Sequence, residues 1–85
     1  MPKVACFELP GLTCWFWSND HEPPHFHAKK DGEWEIRVKF MEVASEMIEL
    51  IWGAMPSGKI LKQIRKLSED HREQLLEEWE TKVNL

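Results

Sequence analysis

The sequence predicts an α+β domain, a four- to five-stranded, mostly antiparallel sheet with a C-terminal helical segment on one face. Three observations lead there. Trp34, Ile36, Val38 and Phe40 alternate with Glu33, Glu35, Arg37 and Lys39, which is the period of a half-buried strand. Short runs rich in Val, Phe and Trp precede that segment, each bounded by Gly, Pro, Asn or Asp. Beyond Gly58, Ile60, Leu61, Ile64 and Leu67, then Leu75, Leu76, Trp79 and Val83, recur at helical spacing.

Val4 to Leu9 and Leu12 to Trp17 flank Pro10-Gly11 and read as a hairpin. With those two residues as the turn, Leu9 faces Leu12, Glu8 faces Thr13 and Cys6 faces Trp15, leaving Cys6 and Cys14 on opposite faces. The cysteines form no CxxC and read as core filler. Ser18 to Pro24 is a loop, and His25 to Lys30 runs through Asp31-Gly32 into Glu33 to Phe40. A loop of Lys30-Asp31-Gly32 sets Phe26 opposite Ile36 and Ala28 opposite Trp34, with His25 against Arg37 and His27 against Glu35 on an open polar face. A two-residue Asp-Gly turn would send the histidines to the core side; the first register is preferred because it keeps Phe26 inside.

Met41 to Glu46 is ambiguous, and Ile48 to Trp52 reads as a fifth strand. Ser68, followed by Glu69 and Asp70, is a candidate cap for a second helix; one kinked helix fits the spacing equally well.

At 85 residues the chain is one domain, near the lower end of what a single core supports without disulfides, metals or a partner. Hydrophobic content of 42%, with five Trp and four Phe, excludes a disordered chain. No apolar run approaches the roughly 20 residues a membrane span needs. MPKVACFELP lacks a charged n-region followed by a long apolar stretch, so the expected location is the cytoplasm.

A net charge of -4 argues against broad nonspecific nucleic-acid binding. Charge is uneven, however: Lys59, Lys62, Arg65 and Lys66 form a basic stretch without an acid, whereas six acids crowd Glu69 to Glu80. The basic stretch could contact RNA or an acidic partner, and a solvated face is the plainer reading. The tryptophans serve core and interface before any stacking role. His71 reads as a surface or packing histidine.

His21 to His27, HEPPHFH, is the densest chemistry in the chain. His25 and His27 lie two apart in a strand and share a face. Pro23 and Pro24 stiffen the loop before them. Three readings follow. The histidine pair, with His21 or a carboxylate such as Asp20, can hold a divalent transition metal such as zinc with a position open for water, and Glu22 acts as general base. Without metal, His25 or His27 can act as acid or base on a phosphate ester held by Arg37 or a lysine. The plainest reading is structural, with imidazole rings donating to backbone carbonyls and fixing the loop.

The opening MP, the hairpin, SNDHEPPHFHAKKDG, the alternating strand and HREQLLEEWE together resemble the bacterial domain-of-unknown-function family 4160 over nearly the whole chain. His21, Pro23, Pro24, His25 and His27 carry most of the resemblance, with Leu75, Leu76 and Trp79. Ala28 departs from the Val associated with the position after the last His. The resemblance implies a small prokaryotic protein, often encoded beside another short one in an arrangement similar to toxin-antitoxin pairs, and no established activity. The expectation is a component of a toxin-antitoxin-like module that binds a small protein partner or itself, with HEPPHFH as its functional surface. The alternative is a metal- or histidine-dependent hydrolase, with RNA as a candidate substrate.

Overall fold

The computed structural model describes residues 2–83. Four strands, β1 (Thr13–Trp15), β2 (Phe26–Lys30), β3 (Trp34–Val38) and β4 (Ile48–Gly53), form one antiparallel sheet in the order β1-β2-β3-β4. Helices α1 (Gly58–Asp70) and α2 (Arg72–Lys82) follow. The α+β class read from the sequence is therefore correct. No helix among the described residues is long and apolar enough to cross a membrane.

The alternation of β2 and β3 sorts their side chains. Phe26, Ala28, Trp34, Ile36 and Val38 join Phe40, Met47, Ile64, Leu75 and Trp79 in one buried core, which is where the helices contribute. The expected β2–β3 register is corrected by two residues: Phe26 pairs with Val38, His27 with Arg37 and Lys30 with Trp34. The loop is thus Asp31-Gly32-Glu33, closed by the Glu33 amide donating to the Lys30 carbonyl at 3.0 Å. A shift of two preserves which face each residue takes, so the preference for Phe26 inside holds.

The amino-terminal hairpin is also corrected. The turn itself forms, with the Leu12 amide donating to the Leu9 carbonyl at 3.0 Å and Gly11 at φ 81°. Pro followed by a positive-φ Gly is the type II pattern, which splays strands that a primed turn would keep paired. Accordingly Lys3, not Cys6, lies opposite Trp15, and residues 4–9 form no strand. Ile48 to Trp52 does form one, as β4, and it is the fourth among the described residues. The amides of Ala5 and Cys6 go instead to the Glu78 carboxylate, at 2.7 and 3.0 Å. Both thiols are free, and burial pushes each up to about 12, with Glu78 adding to the effect at Cys6. Protonated thiols of this kind suit the core-filler reading.

The helical segment breaks at His71, not at Ser68. Ser68 is fully buried inside α1, whereas His71 leaves helical geometry at φ -113° and ψ 21°. His71 Nδ1 donates to the Leu67 carbonyl at 2.9 Å, and its ring packs on Phe7. At the other end, Ser57 caps α1 by accepting from the Ile60 amide at 3.4 Å.

Two of these anchors can be tested by substitution. Burial alone would raise the Glu78 carboxyl, but the Lys82 ammonium and the Ala5 and Cys6 donors outweigh it and hold the group below the ordinary value of 4.5. Its contribution is present above that value and disappears as pH falls through the lower folded-state pKa. Glu78→Ala should cost about 1.5–3 kcal/mol at pH 7 in urea denaturation, the scale of hydrogen bonds to a charged group. The gap between variant and parent should narrow below the ordinary carboxyl range. Gly53 ends β4 at φ 84°, where a Cβ would lie 2.2 Å from the Glu33 carbonyl oxygen. Gly53→Ala should lower stability by about 2–3 kcal/mol, the cost of a side chain in disallowed backbone geometry.

Candidate metal centre

Alternation along β2 commits His27 to the side of the strand away from Phe26 and Ala28, and His25, just before the strand, packs against it with ring centroids 5.1 Å apart. That side is covered, contrary to the open face expected, and each histidine is only 4% exposed. Trp15, the cross-strand partner of His27, stacks on it with ring centroids 5.3 Å apart. Trp79 of α2 packs against His25, also at 5.3 Å. The loop between β1 and β2 then folds over the pair. Its Glu22–Pro23 peptide is cis, and it carries Asp20 to the histidines.

One carboxylate oxygen meets both rings. Asp20 Oδ2 lies 3.1 Å from His25 Nε2 and 3.0 Å from His27 Nε2. Ligand-grade atoms of the three residues all fall within 4.8 Å of one another. Of the remaining ring nitrogens, His25 Nδ1 is 2.8 Å from the Pro23 carbonyl, whereas His27 Nδ1 has no hydrogen-bond partner, Glu35 Oε2 lying 3.7 Å away. Carbonyl and carboxylate partners behind the rings are how proteins orient imidazoles whose other nitrogen takes a metal.

The protonation of His25 is the informative detail. The Pro23 oxygen can only accept, so Nδ1 carries the proton and donates to it. Burial, the largest influence, holds the His25 pKa below its ordinary value despite the Pro23 carbonyl and Asp20, which disfavours a second proton on the ring. Nε2 then presents a lone pair to a carboxylate oxygen, and it is buried without a hydrogen-bond partner. Two acceptors face each other at contact distance. A cation placed between them turns that repulsion into coordination.

The other residues singled out in the sequence are dispersed. His21 and Glu22 are exposed on the loop and stand outside the Asp20, His25, His27 group. Arg37 lies opposite His27 and donates to Glu49 at 2.8 Å. In the basic stretch, Arg65 donates to the Ala44 carbonyl and Lys66 pairs with Asp70, leaving Lys59 and Lys62 exposed. The Pro23 carbonyl at His25 Nδ1 is a backbone acceptor of the kind the structural reading expected. Trp15 and Trp79 complete the surroundings, and no local pattern in the sequence marks them, because their proximity depends on the β1–β2 register and on a helix more than fifty residues away.

A small antiparallel sheet followed by two helices, with a buried histidine pair and a half-buried aspartate against it, defines the class. Residues 11–80 match the domain of unknown function DUF4160, and the chain belongs to that family. No curated protein and no solved structure matches the chain.

In metal-free protein at pH 7, long-range 1H–15N NMR should find His25 neutral and protonated at Nδ1. An Nε2–H tautomer at His25 would contradict that assignment.

Proposed function

We propose that this protein binds a divalent transition metal through Asp20, His25 and His27 and uses the remaining coordination positions for hydrolytic chemistry. The observation that carries the reading is the convergence of both Nε2 atoms on Asp20 Oδ2 while His25 Nδ1 is engaged by the Pro23 carbonyl. Three protein ligands with positions left for water are typical of catalytic sites, whereas structural zinc usually takes four. Two histidines and one carboxylate suit zinc or ferrous iron. The metal would lower the pKa of a bound water toward neutrality. Glu22, exposed on the loop that carries Asp20, is the proposed general base, and His21 stays outside the ligand set. Support for RNA as substrate is thinner, since two of the four basic residues are engaged within the protein.

Purified protein loaded with zinc should hold about one ion per chain, measured by elemental analysis after exhaustive dialysis. Asp20→Asn changes a loop residue and should weaken zinc binding at least tenfold, with the far-ultraviolet spectrum of the parent. A folded parent that takes up no zinc, cobalt, manganese or iron would overturn the reading.

A partner-binding role in a toxin-antitoxin-like module is favoured by a different observation. β4 is an edge strand, and Leu50, Ile51, Trp52 and nearby Met55 are exposed on or beside it. Native edges are usually guarded by charge, proline or cover, although the irregularity opposite Glu35 and Ile36 is itself a partial guard. In this reading a small protein or a second copy covers the edge. Trp52→Glu should then reduce self-association or partner capture in sedimentation while leaving zinc stoichiometry unchanged; an unaltered sedimentation profile in the presence of the partner would count against it.

A further inference from the structure

The two histidines are not alike as ligands. His25 donates through Nδ1 to the Pro23 carbonyl, so its Nε2 already offers a lone pair. His27 is arranged the other way round. Its Nε2 lies 3.0 Å from Asp20 Oδ2, in hydrogen-bond contact, and an ionised carboxylate can only accept. A singly protonated His27 ring therefore carries its proton on Nε2, the nitrogen that a metal shared with Asp20 and His25 would need. Its Nδ1 then presents a lone pair, and that atom is buried without a hydrogen-bond partner. The Glu35 carboxylate stops 3.7 Å short of it, a separation suited to two acceptors with no proton between them.

The sheet places Glu35 for this nitrogen. It lies on β3 two residues before Arg37, the cross-strand partner of His27, and so takes the diagonal position on the same face. Arg37 can only donate, and it is drawn to Glu49. The β3–β4 register shifts between Glu35 and Ile36: Trp52 pairs with Glu35 and Leu50 with Ile36, leaving Ile51 as the extra residue. Bulges next to functional sites re-aim side chains. Among the described residues the Glu35 carboxylate makes no other ion pair, and Lys29, opposite it on β2, pairs with Asp31 instead. Glu35 stands outside the hydrophobic core, so its carboxylate can close from 3.7 Å to a charge-assisted bond of about 2.8 Å without repacking that core.

Resting on the metal reading above, we infer that Glu35 is the positioning residue for His27, accepting the Nδ1 proton that the ring must carry once a metal takes Nε2. In that step the Nε2–H bond breaks, the metal–Nε2 bond forms and a proton is taken up at Nδ1 by way of solvent, so the ring stays neutral. The two positive charges of the ion balance the Asp20 and Glu35 carboxylates. His25 needs no such switch, because the Pro23 carbonyl already holds its proton on Nδ1. The pair thus divides into one ligand that is ready in the metal-free protein and one that Glu35 makes ready.

The test follows both rings of the 15N-labelled full chain by long-range 1H–15N NMR at pH 7 as zinc is added, with zinc affinity measured by chelator competition. The expected result is a proton on His27 Nε2 in metal-free protein and on Nδ1 after zinc, while His25 keeps Nδ1–H throughout. Glu35→Ala should weaken zinc by about 10–100-fold, the usual effect of losing an outer carboxylate behind a ligating histidine. Glu35→Gln, which keeps an accepting oxygen and loses the charge, should fall between Glu35→Ala and the parent. Glu33→Gln removes a charge from the same hairpin outside the site and should bind zinc like the parent. A metal-free His27 already protonated at Nδ1, or Glu35→Ala that binds zinc as tightly as Glu33→Gln does, would overturn the inference and leave the metal reading standing. Zinc-loaded protein in which His27 keeps Nε2–H, or protein that takes up no zinc, would overturn both.

Discussion

Strand alternation in β2 is the constraint that organises this protein. Phe26 and Ala28 are fully buried in the core, and alternation turns His27 to the other side of β2, where His25, the residue just before the strand, meets it at Asp20. Two imidazoles at the centre of a small sheet must then be exposed or covered. Here they are covered, by Trp15 from the neighbouring strand, Trp79 from α2 and Asp20 from the preceding loop. The aromatic rings exclude water from the imidazoles, and the half-buried Asp20 carboxylate brings a negative charge against both of them.

The division of labour between the two ends of each ring gives the site its chemical sense. Pro23 and Glu35 oxygens stand behind the Nδ1 atoms, and Asp20 stands before the Nε2 atoms. A purely structural histidine needs only one of these relationships. Having both leaves His25 one proton short, and burial opposes the second proton that would mend it. A divalent ion resolves the conflict without moving any residue into the core.

Much of this was legible in the sequence. The period of Trp34 to Phe40 identified β3, and the two-residue spacing of His25 and His27 placed them together on the face away from Phe26. Other features depended on contacts that no local pattern encodes. Parity survived where register did not, because loop length sets register and a slip of two leaves faces unchanged. Burial of the histidines required Trp15 and Trp79, neither adjacent to them in sequence. The amino-terminal segment keeps a single bridge at Lys3 because the Pro10-Gly11 turn splays it from β1, and Glu78, far along in α2, takes the Ala5 and Cys6 amides. Asp20 and His21 were both reasonable third ligands from sequence, since a loop has no period from which direction can be read; the structure brings Asp20 to the pair and leaves His21 exposed.

Whether Asp20, His25 and His27 share one metal ion can be decided by X-ray absorption on the zinc-loaded protein. A shared ion gives a first shell of nitrogen and oxygen only, at about 2.0–2.2 Å, with the outer-shell scattering of two imidazoles. A sulfur shell near about 2.3 Å would instead assign the zinc to Cys6 or Cys14, and a shell without imidazole scattering would place it on surface carboxylates. Either result would contradict a centre built on the histidine pair.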